Sequence, residues 1–212
     1  MKKRDANHPF FQAHPIQGWV TFKFHPDAVK DLESYAAGYH DAAKTLAAKM
    51  HRSRHPPHFS GFPVLFLYRH ALELYLKAVV YLGTQLITMR GGQEIKVDGL
   101  LKEHSLQRLV PPLEKVLEGL GWLKEFRSRG IRSFRDFRKL VGRIDQFDSG
   151  SYAFRYPVNT KGHRALPEAF FMNALGFAKS LDPILELLDT AIFAMNAEVE
   201  QYGDSLQDPG SR

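Results

Sequence analysis

The stretch from Pro63 to Leu82 sets apolar residues on nearly every side of a helix, from Val64, Leu65, Phe66 and Leu67 through Ala71, Leu72, Leu74, Tyr75 and Leu76 to Val79, Val80 and Leu82. A helix that is apolar all round belongs at the centre of a packed bundle. Three charged residues interrupt it. Arg69, Glu73 and Lys77 follow one another at intervals of four and so form one stripe, with His70 beside them. Burying charges without partners is costly, so this stripe must face a groove, a dimer seam or a compensating network. Two outcomes stay open: a self-satisfying Arg69–Glu73–Lys77 ladder at the helix surface, or a site shared with His104, Arg155 and Tyr156. Taken alone, His70 reads as a hydrogen-bonded packing residue.

Further helices flank this one. After Pro26 and Asp27, which suit a first helical turn, apolar residues recur at Val29, Leu32, Ala36, Tyr39, Ala43, Leu46 and Met50, in the steps of three and four of a long bundle helix. Arg52 to Gly61, with Pro56 and Pro57, reads as a loop between antiparallel helices. Ser105 can cap a helix that meets Pro111 and Pro112, which predicts two short pieces ending near Gly119 to Gly121. From Ser133 to Phe147, the residues Phe134, Phe137, Leu140, Val141, Ile144 and Phe147 mark one helical face. From Pro167 to Tyr202 a second face repeats through Phe170, Ala174, Phe177, Leu181, Ile184, Leu188, Ile192, Met195 and Val199. Pro183 inside it predicts a kink or a break, with Ser180 or Asp182 capping a restarted helix.

Leu86 to Val97 alternates apolar and polar residues around Gly91 and Gly92 and reads as a short hairpin. A three-residue loop of Arg90, Gly91 and Gly92 would set Ile87 opposite Ile95. Residues 1–24 are expected to form an extended arm and 203–212 a disordered tail. The expected fold is one all-α domain over residues 1–212: an antiparallel up-and-down bundle of four main helices plus short helices, with a small β-hairpin excursion.

With 44% hydrophobic residues, a chain of 212 can bury a substantial core. Cysteine is absent, which excludes a disulfide framework, a thiolate zinc site and a cysteine nucleophile. The basic start Met1-Lys2-Lys3-Arg4 runs into Asp5-Ala6-Asn7-His8-Pro9 where a signal peptide needs an apolar stretch. Runs such as Phe62 to Tyr68 fall far short of the ~20 residues that span a bilayer. A cytoplasmic protein with no membrane partner is therefore expected.

The formal charge is +6, and the segment Lys124 to Arg143 carries all of it, with eight basic residues against Glu125 and Asp136. Arg135, Arg138, Lys139 and Arg143 fall opposite the phenylalanine face, and Arg127, Arg129 and Arg132 extend the patch. Arginine suits phosphate because its planar fork donates parallel hydrogen bonds and keeps its charge. The patch reads as a nucleic-acid-binding surface or as an ordinary solvated face. His51, His55 and His58 invite a metal, but Pro56 and Pro57 interrupt their helix and no carboxylate lies near in sequence. Neither a metal nor a cofactor is expected, since Walker, dinucleotide and nucleophile-elbow patterns are missing.

The run Phe66-Leu67-Tyr68-Arg69-His70-Ala71-Leu72-Glu73-Leu74-Tyr75-Leu76-Lys77-Ala78 resembles the central helix of HEPN-domain proteins. Glu103-His104-Ser105-Leu106, with Leu109, is similar to the start of that superfamily's next helix, and Phe154-Arg155-Tyr156-Pro157 to a pattern in one subgroup. The resemblance implies a helical bundle that often dimerises. It also implies a metal-independent ribonuclease of a toxin–antitoxin or defence system, with an antitoxin or nucleotidyltransferase as partner and RNA as ligand. On that reading Arg69, His104 and Arg155 would be catalytic, with His70, Glu73, Lys77 and Tyr156 lining a groove. Ribonuclease members carry an Arg followed, after four to six residues, by a His in a late helix. Here only Arg52 and His58 have that spacing, ahead of the central helix, and Arg155 to His163 is wider. The alternative is a non-catalytic helical module that dimerises or holds a partner protein.

Overall fold

The computed structural model describes residues 24–53, 58–159, 161–168 and 171–207. Among them the chain forms five α-helices: α1 (Leu32–Arg52), α2 (Gly61–Met89), α3 (Leu106–Gly119), α4 (Phe134–Asp148) and α5 (Ala174–Gln207). Short 3-10 turns at Ala28–Asp31, His58–Ser60, Leu100–Lys102 and Leu123–Glu125 punctuate them. No strand forms among the described residues; two isolated bridges join Ser128 to Ile131 and Val158 to Arg164. No helix of the described residues is long and apolar enough to cross a membrane. The expected arm lies outside the described residues except for Phe24.

The apolar α2 is the centre, as its composition demands, with α1, α5 and α3 packed against it. From α1 come the small residues Ala36, Ala43 and Ala47, which let the two helix backbones approach closely, and from α5 the larger Leu181, Ile184, Leu185, Leu188, Ile192 and Met195. The fourth helix packs chiefly on α3 rather than on α2. It brings Phe134, Phe137, Val141 and Ile144 into the same core, whereas Phe147, placed on that face by its spacing, is 47% exposed.

Residues 86–97 form no hairpin. Helix α2 runs on through Leu86 and Ile87, both buried, because the core continues past Leu82. Gly91 takes φ 76, the Gly91 N–H bonds Thr88 O and the Gly92 N–H bonds Ile87 O, so the glycine pair ends a helix in a Schellman cap. A second cap of the same form ends α3 at Gly121, where Trp122 N–H bonds Leu117 O.

Pro111 and Pro112 do not divide α3. Ser105 caps it through the Arg108 N–H, and the carbonyls that the prolines leave unbonded belong to Gln107 and Arg108, both on the exposed side where water can reach them. Pro183 likewise does not break α5: the carbonyl it frees is that of exposed Lys179. Neither expected cap residue acts there. Ser180 Oγ donates back to Gly176 O, and Asp182 accepts hydrogen bonds from other helices. The helix also continues through Gly203 to Gln207, since one glycine costs only about 1 kcal/mol against alanine in a helix interior.

Gly83 marks the tightest approach in the core, where a Cβ would overlap the buried Val116 of α3. Gly83→Ala is expected to lower unfolding free energy by about 1–3 kcal/mol through overpacking, measured by urea denaturation with the slope unchanged.

Candidate functional site

Arg69, Glu73 and Lys77 lie on one face of α2, and that face is inside the protein: they are 0%, 1% and 3% exposed. Arg69 Nη1 donates to Glu73 Oε2 at 2.7 Å and Lys77 Nζ to Glu73 Oε1 at 2.8 Å. The stripe is thus a ladder, but a buried one, and it needs a fourth charge for neutrality. Asp148, the last residue of α4, supplies it with Oδ2 3.3 Å from Arg69 Nε. That oxygen has no aligned hydrogen bond; its partner is the opposite charge itself. Arg69 Nε also donates to Asp148 O at 3.1 Å, Nη2 to His104 O at 2.5 Å, and Lys77 Nζ to Leu101 O at 3.2 Å.

Burial alone would raise the Glu73 carboxyl, but Lys77 and then Arg69 overcome it and hold the group below its ordinary value of 4.5. The same carboxylate reaches outward, because His104 Nδ1 lies 3.0 Å from Glu73 Oε1. The His104 side chain is 55% exposed, and among the described residues no hydrogen bond occupies its Nε2. Its loop is pinned on both sides. Glu103 Oε1 accepts the His104 and Ser105 N–H groups, and Asp145 accepts Leu106 N–H at 2.8 Å and Ser105 Oγ at 2.7 Å. His104 lines a cleft of about 620 Å³ with Lys102, Arg108, Asp145 and Tyr152.

The expected residues therefore separate into two groups. Arg69, Glu73, Lys77 and His104 come together. Arg155 and Tyr156 form no hydrogen bond or ion pair with them among the described residues: Arg155 Nε donates to Ser151 O at 2.7 Å, and its guanidinium lies 5.5 Å from the Phe66 ring centroid and 5.3 Å from that of Tyr156. Arg69, fully enclosed, supports the site without facing it. His70 stacks on Phe66 with centroids 5.4 Å apart and meets Tyr39 edge-on at 4.6 Å. Burial lowers its pKa, so it is neutral at pH 7. It is a packing residue. Asp145 and Asp148 were not identified from the sequence. Asp148 carried a signal, since an acid at a helix C-terminus opposes the dipole and calls for a partner elsewhere.

The basic side chains of the segment all lie on the surface, with Arg127, Arg129, Arg132, Arg135, Arg138, Lys139 and Arg143 exposed. Arg138 is paired with Glu114, and Arg127 Nε donates to Lys124 O. Because α4 packs on α3, a groove of about 880 Å³ opens between α4 and α5, lined by Arg129, Lys139, Arg143 and Lys179. Asp182 and Glu186 also line it. They are engaged from behind, Asp182 by Tyr68 Oη at 2.7 Å and His40 Nε2 at 3.0 Å, and Glu186 by Lys44 Nζ at 3.4 Å. Of the three histidines weighed for metal, His55 lies outside the described residues.

No protein-family model, curated protein or solved structure matches this chain.

Removing Arg69 leaves Asp148 buried without a cation and Glu73 with Lys77 alone. Arg69→Met is expected to destabilise by about 3–5 kcal/mol in denaturant unfolding. The Glu73 contribution has a defined pH window. Its folded pKa lies below 4.5, so the stabilisation is full above that value and is lost as pH falls through the lower folded value. The gap in unfolding free energy between wild type and Glu73→Gln should be widest near pH 7 and narrow in acid. A gap independent of pH would mean that the carboxylate charge contributes nothing.

Proposed function

We propose that this protein binds RNA on the basic face of α4 and cleaves it with His104 as a metal-independent acid–base group. The observation that carries the reading is the half-exposed imidazole whose Nδ1 is held by a buried carboxylate, in a cleft that also contains Lys102 and Arg108. An acceptor at Nδ1 favours the tautomer with its proton there and leaves an unprotonated Nε2 facing outward. Such a nitrogen can take the proton of a ribose 2′-hydroxyl as that oxygen attacks the adjacent phosphorus. The 5′ oxygen then leaves and takes a proton from water. Lys102 and Arg108 supply positive charge where negative charge develops on the phosphate oxygens. Arg129, Lys139, Arg143 and Lys179, in the groove on the other side of α4, would hold the flanking backbone. The HEPN resemblance agrees with this chemistry although the late Arg-to-His motif is missing. It is also the sole support for a homodimer and for an antitoxin or nucleotidyltransferase as partner, while the antiparallel up-and-down bundle and the cytoplasmic location rest on the sequence pattern.

A second reading, a non-catalytic helical module, is favoured by one observation: the Arg69–Glu73–Lys77–Asp148 charges balance among themselves with no ligand.

The two readings part in a cleavage assay with chelator present. The proposal expects wild type to cut RNA and His104→Gln to lose about 10²–10⁴-fold of the rate, with RNA affinity unchanged. Lys139→Glu with Arg143→Glu should weaken binding and lower the log–log salt slope by about 0.7–0.9 for each phosphate that the protein no longer neutralises. Binding without cleavage at any pH selects the module. Binding indifferent to both Lys139 and Arg143 returns the α4 face to ordinary solvation.

A further inference from the structure

The turn after α4 carries a feature that acid–base chemistry at His104 does not use. Asp148 Oδ1 accepts the Tyr152 and Ala153 N–H groups at 2.7 and 2.9 Å, and Ser151 within the turn takes φ 60, a left-handed conformation uncommon for serine. So held, the turn presents Tyr152, Arg155 and Tyr156 together. The Arg155 guanidinium lies 5.4 Å from the Tyr152 ring centroid and 5.3 Å from that of Tyr156, and the two tyrosine rings are 6.3 Å apart. These rings face solvent, Tyr152 at 37% and Tyr156 at 52% exposure. One hydrogen bond from Nε fixes the arginine, and among the described residues no carboxylate forms an ion pair with it, although Glu168 lines the same cavity.

A guanidinium fixed among exposed tyrosine rings, with no ion pair of its own, is more than packing requires. It has the parts that receive a nucleotide: π-faces for a base and a planar fork for a phosphate. Its position agrees. Tyr152 lines the His104 cleft, whereas Arg155 and Tyr156 line a neighbouring cavity of about 580 Å³ together with Phe62 and Arg164. The platform is the ridge between the two.

We propose that Tyr152, Arg155 and Tyr156 form a stacking platform for an unpaired base of the RNA whose phosphate lies at His104, which makes single-stranded RNA the substrate class. This rests on the RNA reading above. A duplex keeps its bases stacked on one another and offers the platform none. Arg164, in the same cavity as Arg155, is placed to meet the next phosphate.

The test is fluorescence anisotropy with the full chain at low salt, using uncleavable 2′-O-methyl oligonucleotides: a short single strand, the same strand made abasic, and its duplex. Wild type should bind the intact single strand most tightly. Tyr156→Ala should lower that affinity roughly 5- to 150-fold, to the abasic level, without changing duplex binding. Tyr156→Trp should restore it, and equal melting temperatures of the three proteins would show that the fold is unaltered. Equal binding of the intact single strand by wild type and Tyr156→Ala overturns the platform, as does preference for the duplex. If binding still weakens in Lys139→Glu with Arg143→Glu, the RNA reading stands while the platform falls. If wild type binds no oligonucleotide at all, both fall.

Discussion

A guanidinium with no surface in contact with water holds this structure together at one point. Arg69 belongs to the central helix, yet its donors reach the loop before α3 through His104 O and the end of α4 through Asp148, as well as Glu73 on its own helix. Taking such a charge out of water costs several kcal/mol, which only paired charges and directed hydrogen bonds offset. The arrangement meets that requirement with two cations and two carboxylates in one enclosed group. A lysine could balance the charge, but its three donors sit on one nitrogen and could not span the three separated acceptors that the planar fork reaches.

The site follows from that group. Glu73 can stay ionised under cover because Lys77 and Arg69 hold it so, and that carboxylate holds the His104 ring through Nδ1 while more than half of the side chain stays exposed. Asp148 has a matching role on the other side, with one oxygen facing Arg69 and the other accepting two N–H groups of the turn that bears Tyr152, Arg155 and Tyr156. The imidazole and the aromatic ridge therefore share a buried foundation while their outer faces stay exposed. The groove between α4 and α5 has a different origin: it exists because α4 leans on α3 and leaves α5 uncovered.

Much of the fold was legible because helical period and capping are local. The apolar α2, the faces of α1 and α5, the α4 face apart from Phe147, and the Ser105 cap stand where the residues indicated. What was not legible depended on tertiary burial. Leu86 to Val97 alternates well enough for a hairpin, but the core extends far enough to bury Leu86 and Ile87 in a helix. Pro111, Pro112 and Pro183 read as breaks, yet each removes a hydrogen bond where the carbonyl meets water. At the site, the four-residue spacing of Arg69, Glu73 and Lys77 foretold their shared face, and His104 was among the residues expected to meet it. That the stripe is sealed from solvent could not be read from spacing, because Asp145 and Asp148, the acids that hold its surroundings, come from a helix far away in sequence.

The central claim is that one buried group fixes both the His104 loop and the turn after α4. Native-state amide hydrogen exchange on wild type and Arg69→Lys tests it most directly, since this substitution keeps the charge and removes the fork. The account predicts that the Ser105, Leu106, Tyr152 and Ala153 amides, all bonded to carboxylates, lose protection together in the variant, while amides in the middle of α1 and α5 keep theirs. Loss at only one of the two segments, or at neither, would contradict it.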